Sequence, residues 1–134
     1  MVSRVAVDTN LLVRLVTNDD PQQAQRAAAA VDAGEGFFVP LSVTLELEWV
    51  LRGAYRLGVD QVLRAFEGLL SVRHLHFEQE TTIRKALHHH RQGLDFADAL
   101  HHLAAADCDA MLSFDARLIA AVRRLGLEPP VQAP

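Results

Sequence analysis

The chain has almost nothing with which to crosslink itself. One cysteine, Cys108, stands among 134 residues. That excludes an internal disulfide framework and fits a reducing compartment such as the cytoplasm, the expected location. No apolar run approaches the roughly 20 residues that a membrane span needs. The N-terminal segment lacks the layout of a signal peptide, because Asp8 and Asn10 interrupt its apolar stretch. No membrane association is therefore expected. Positive charge is in deficit, with a formal net charge of −4. This excludes a protein that holds nucleic acid mainly through bulk positive charge. It leaves room for a nuclease whose acids gather around a metal. Lysine is nearly absent, Lys85 being the only one, and the cations are otherwise arginine, the better fork for phosphate. There is no internal repeat and no linker, so residues 1–134 read as a single domain. A domain of this size buries roughly two-thirds of its unfolded surface without covalent staples.

What is present is an alternation of short strand-like runs and helical stretches. A strand from Arg4 to Asp8 leads into a helix with Leu11, Leu12, Leu15 and Val16 at helical spacing. Pro21 fits the first turn of a second helix, through Ala24 to Asp32. Phe37–Val39 reads as a strand closed by Pro40. A long helix runs from Ser42 to about Leu57, with Gly58 as its C-cap, and another spans Val59 to Leu70. Val72–Phe77 is a weaker strand, and Glu78–Gln92 a helix ended by Gly93. Asp95 caps a helix to about Ala106. Met111–Ser113 is a strand, Ala116–Leu125 a helix, and Leu127–Val131 a short edge strand weakened by Pro129 and Pro130. This order predicts an α/β fold with helices on both faces of a mostly parallel, twisted sheet of about four to five strands.

Carboxylates recur where such strands end. Asp8 and Asp115 each close an apolar run, and ligands of open α/β sheets bind beyond the carboxyl ends of the strands. As central strands of one sheet, these runs point both acids into one crevice. Each acid also has a plain structural role. Asp8 and Asp115 can cap helices, although Thr9 and Asn10 are able to cap the first helix in place of Asp8. On the long helix, Val43, Leu47, Val50, Leu51 and Ala54 form the apolar stripe. Glu46 borders that stripe and Glu48 lies further round toward solvent. Asp98 follows Asp95 by three residues and shares a face with His101 and His102, opposite Phe96, Leu100 and Leu103. That face is either solvated or lines a site. Two ionised carboxylates about 5 Å apart repel by about 3 kcal/mol at an effective dielectric near 20. Gathering several requires protonation or a bound cation, and oxygen ligands favour Mg²⁺ or Mn²⁺.

Other features carry weaker signals. Consecutive residues of His88-His89-His90 diverge by about 100° on a helix, so they form a solvated face rather than a chelate. Cys108 reads as a buried structural thiol. Leu45, Trp49, Arg52 and Arg56 fall in one column on the far side of the long helix. That column is either covered by a neighbouring helix or a protein interface, where Trp and Arg are enriched.

Four segments together resemble a known family. They are Val7-Asp8-Thr9-Asn10, the Glu46-Leu47 start of a helix continuing Trp49-Val50-Leu51, Asp95-Phe96-Ala97-Asp98-Ala99, and Ser113-Phe114-Asp115. In this order they resemble the PIN-domain ribonucleases, and most closely the VapC-type toxins of bacterial toxin–antitoxin pairs, over nearly the whole chain. The resemblance implies a PIN-like three-layer fold and an acidic quartet of Asp8, Glu46, Asp98 and Asp115. Thr9, Asn10 and Ser113 match polar positions that steady the site, and Asp95 is a further acid beside it. The implied activity is Mg²⁺- or Mn²⁺-dependent endoribonuclease cleavage leaving 5′-phosphate and 3′-hydroxyl ends. The implied partners are an RNA substrate, a second copy of the chain and a cognate antitoxin. Two other readings compete. A phosphoaspartate phosphatase would need a carboxylate two residues after Asp8, where Asn10 stands. A non-catalytic PIN-like module would bind RNA or protein without cutting.

Overall fold

The computed structural model describes residues 5–34 and 36–134. Arg4, the expected start of the first strand, lies outside them. The chain divides into two units, residues 1–80 and 81–134.

In the first unit, β1 (Val5–Ala6) leads through buried Val7 to α1 (Thr9–Val16). Asp20 caps α2 (Pro21–Ala33) by accepting from the Gln23 amide at 3.1 Å, and Pro21 occupies the first turn, where its missing N–H costs nothing. β2 (Phe37–Val39) pairs in parallel with β1 on one side and β3 (Leu75–Phe77) on the other. Between them come α3 (Leu41–Gly53) and α4 (Val59–Leu70), the crossovers that parallel strands require. The core is built from Leu12, Val39, Leu47, Leu51, Val62 and Phe66, all fully buried.

α3 departs from expectation in two ways. It stops at Gly53 rather than near Leu57, and Gly58 precedes α4 as its N-cap instead of closing α3. Arg56, in the connection, adopts a left-handed φ of 54°, a conformation a helix interior cannot contain. The buried face also lies elsewhere. Thr44, Leu47, Glu48 and Leu51 are buried, whereas Val43 and Val50 are half-buried and Ala54 is exposed. Glu48 is only 1% exposed and Glu46 is exposed, the reverse of the order expected from hydrophobic spacing. A buried carboxylate is tolerable because Arg52, one turn on, donates to both its oxygens at 3.0 and 3.3 Å. Hydropathy has no means of registering that pairing.

Side chains fasten the helix ends. Pro40 offers α3 no capping group, and Glu78, just after β3, accepts from the Leu41 amide at 2.9 Å instead. Asp19 accepts from Tyr55 at 2.7 Å, Arg14 at 2.8 Å and Thr17 at 2.9 Å, tying the end of α1 to the α3–α4 connection. The Tyr55 and Thr17 hydroxyls, with Arg14, hold the Asp19 carboxyl below its ordinary range.

In the second unit, α5 (Glu80–Arg91, beginning at the division) and α6 (Phe96–Ala104) precede β4 (Met111–Leu112), α7 (Ala116–Leu125) and β5 (Val131–Gln132). β4 and β5 run parallel, with Met111 beside Val131. Five parallel strands and seven helices among the described residues make the α/β fold expected. The strands form ladders of three and two, however, not one continuous sheet. An apolar run specifies a strand, while the neighbour it pairs with is set by non-local contacts. Among the described residues no helix is long and apolar enough to cross a membrane.

Leu51 is fully enclosed in the first unit. Leu51→Ala should destabilise the protein by about 2–5 kcal/mol through lost burial and a residual cavity, measured by urea unfolding.

Candidate active site

Asp8 follows β1 and is held there by the strand, since Val7 donates its amide to Phe38 at 3.0 Å. Its Oδ1 accepts from the Leu11 amide at 3.2 Å, so Asp8 is itself the N-cap of α1. Thr9 and Asn10 lie inside the helix and do not take that role. The buried Thr9 hydroxyl instead donates to Glu46 Oε1, 37 positions away. Asp8 and Glu46, remote in sequence, are thus linked through the residue between α1's cap and α3. Asn10 is exposed on α1. β1 itself is exposed and lies at the edge of its ladder, not at the centre of a buried sheet.

In the second unit Asp95 caps α6, its Oδ2 accepting from the Asp98 amide at 3.2 Å. Asp98 is half-buried in the first turn. Asp115 caps α7, and both bonds, from Arg117 at 2.9 Å and Leu118 at 3.3 Å, fall on Oδ1. Ser113 holds the turn from both sides: its amide donates to Gln132 at 3.0 Å, and its Oγ accepts from the Asp115 amide at 3.0 Å. Desolvation pushes the Asp98 carboxyl above its ordinary value of 3.8, with further upward pressure from the negative charges of Asp95 and Asp115 and a smaller opposing pull from His101. Asp98 and Asp115 therefore feel one another's charge.

Several expected roles change. The Asp98–His101–His102 face is not uniform. His101 is exposed, whereas His102 is buried and donates Nε2–H to the Pro129 carbonyl at 2.8 Å. The buried arc of α6 is wide enough to take in an imidazole once β5's approach supplies an acceptor. The 88–90 triplet is likewise not a solvated face. His88 alone is exposed, His89 is half-buried and His90 is buried, donating Nδ1–H to Leu94 at 2.8 Å and meeting Phe96 edge-on. Burial, then His88, His102 and Lys85, hold His89 below its ordinary range. Cys108 is exposed in the connection before β4, not buried. On α3, Trp49 is 66% exposed, which does not fit the reading of a tryptophan covered by a neighbouring helix. Leu45 is half-buried, Arg52 reaches back to Glu48, and Arg56 falls outside the helix, so the expected column is broken at its end. Glu78, which holds the start of α3, carried no sequence signal, because its partner is a backbone amide 37 residues away.

A PIN domain model matches residues 5–125. The chain belongs to the PIN domain family. Among curated proteins no sequence matches it. PIN domains are generally nucleases and typically use divalent metals, a context that disfavours the phosphatase reading. Within either unit no three His, Cys, Asp or Glu side chains are already gathered as a ligand cage among the described residues. The donor chemistry nonetheless suits a hard divalent cation. In the first unit Asp8 and Glu46, and in the second Asp95, Asp98 and Asp115, offer only carboxylate oxygen, and the repulsion felt by Asp98 is what a cation would relieve.

Capping and charge separate by substitution. Asp115→Asn should keep the α7 cap, because Asn caps as well as Asp, whereas Asp115→Ala should cost about 0.5–2 kcal/mol in thermal unfolding. The raised Asp98 pKa has a definite sign. The folded state holds that proton more tightly than the unfolded chain, so the associated stability is complete below 3.8 and lost as pH rises through the folded value. Without divalent ions, Asp98→Asn should therefore melt higher than wild type at about pH 7, an advantage that disappears toward about pH 3.

Proposed function

We propose that residues 1–134 form a single PIN domain that is a metal-dependent endoribonuclease, with Asp8, Glu46, Asp98 and Asp115 as its acidic set. The observation that carries this reading is the match of the PIN domain model over residues 5–125, with acids standing at the N-termini of α1, α6 and α7. Asp98, partly desolvated and under the negative charge of Asp95 and Asp115, is a carboxylate whose ionised form a cation would favour. Asp8, Asp98 and Asp115 would hold Mg²⁺ or Mn²⁺, and Glu46 either completes the set or orients the attacking water. Bound there, the ion supplies Lewis-acid charge to the scissile phosphodiester and lowers the pKa of the attacking water.

The chain's own residues do the positioning. Thr9 fixes one oxygen of Glu46, leaving the other to accept a proton from water. The cap at Asp115 engages Oδ1 and leaves Oδ2 outside it. Ser113 keeps the turn at Asp115 in place, Thr9 holds Glu46, Asn10 is assigned a steadying role beside Asp8 by the motif alone, and Asp95 adds negative charge beside Asp98. Water attacks phosphorus, the P–O3′ bond breaks, and the products carry 5′-phosphate and 3′-hydroxyl ends.

The motif set supports a toxin of the VapC type, restrained by a cognate antitoxin that covers the cleft and acting in the cytoplasm. The exposed Trp49, with Leu45, Arg52 and Arg56 nearby, supports a protein interface, including a homodimer.

Asp8→Asn retains the α1 cap while removing a ligand charge. It should leave the melting temperature nearly unchanged, reduce Mn²⁺-dependent cleavage of RNA by at least about 100-fold, and weaken the stabilisation that Mn²⁺ gives the wild type. Cleavage at the wild-type rate by carefully purified Asp8→Asn protein would overturn the assignment.

A further inference from the structure

α5 carries its charge with one sign. After Glu80, its first residue, it presents Arg84, Lys85, His88 and Arg91 and no further carboxylate. All four are exposed, while Ile83, Ala86, Leu87 and His90 are buried. At 100° per residue the four fall within an arc of about 120°, opposite the buried row. At the end of the helix Arg124 of α7 donates to the Gln92 carbonyl at 3.0 Å, bringing another guanidinium to the same place. From Arg84 to Gln92 the helix rises about 12 Å, the reach of a short run of phosphates.

This concentration calls for a reason in a chain whose net charge is −4. The helix macrodipole favours cations only within the last turn. That accounts for Arg91, but Arg84 and Lys85 lie in the middle of the helix. Arginine offers a planar fork suited to phosphate oxygens. The exposed arc holds no Phe, Tyr or Trp, so what it offers a nucleic acid is chiefly charge.

We propose that the exposed arc of α5, with Arg124 at its end, is a contact surface for the phosphate backbone of RNA. It rests on the reading of the chain as an RNA-cleaving nuclease, and it adds where the substrate strand lies and why its hold is indifferent to sequence.

The test measures binding apart from cleavage, in the Asp115→Asn background, with a fluorescent single-stranded oligoribonucleotide over a range of KCl. Arg84→Gln, Lys85→Gln and Arg91→Gln together should weaken binding at least about 10-fold at low salt. They should also flatten the slope of log Kd against log salt by about 2, since each phosphate contact on a single strand contributes about 0.7. Arg26→Gln, Arg64→Gln and Arg73→Gln remove the same charge from the other unit and should leave the slope unchanged. Circular dichroism establishes that both triple variants are folded. Equal weakening by the two triples would mean bulk charge and would overturn the proposal. So would displacement of RNA by polyglutamate at matched charge, which would mark an acidic-peptide surface. If the protein cleaves RNA but the α5 triple binds like its parent, only the α5 surface is refuted. If the α5 triple loses RNA binding while the protein with aspartate at 115 fails to cleave, only the nuclease reading is refuted.

Discussion

A carboxylate at a helix N-terminus accepts backbone N–H groups that have no partner within the helix, and three candidate-site acids of this protein are placed by that bond. Asp8 opens α1, Asp95 opens α6 and Asp115 opens α7. The bond fixes the side chain of each acid at the turn that leaves a strand or loop. It also sets the positive end of the helix dipole beside a negative group. Capping and catalysis are thus not rival explanations for the same residue. A cap uses one or two lone pairs of a carboxylate that has about four. At Asp115 the cap is confined to a single oxygen.

The same arrangement has an electrostatic cost. Once Asp95 and Asp115 are anchored, Asp98 in the first turn of α6 sits in their combined field, partly desolvated, and ionises less readily than a free carboxylate. Thr9 does the complementary work in the first unit, offering a hydroxyl proton to Glu46. The membership of the chain in the PIN domain family gives this local tension a context, because PIN domains are generally nucleases that typically use divalent metals, and a divalent cation relieves the repulsion between carboxylates.

How much of this was legible in the sequence depended on the range of the interaction. α4 and α7 have the ends expected of them, and Asp95 is the cap expected. Each of those features is decided within four or five residues. A hydrophobic stripe points Glu48 toward solvent and Glu46 toward the core, the reverse of the structure, because Arg52 allows Glu48 inward. Helical spacing points His102 toward solvent or a site and His90 toward solvent, yet each is buried with a carbonyl to receive its ring N–H. The acceptor for His102 comes from residue 129, and nothing at 102 announces it.

Local residue patterns suffice for the alternation of helices and short strands, for the acids at their junctions and, through four motifs in order, for the family resemblance. These follow from local propensity, capping chemistry and spacing, which act along the chain. Only the tertiary structure decided that β1 and β4 join ladders of three and two. It also decided that Glu78 would hold α3, and that Thr9 would reach Glu46 while Asp8 took the cap. The reason is physical: a hydrogen bond across 37 residues satisfies a donor and an acceptor whose identities say nothing of each other until the chain has folded.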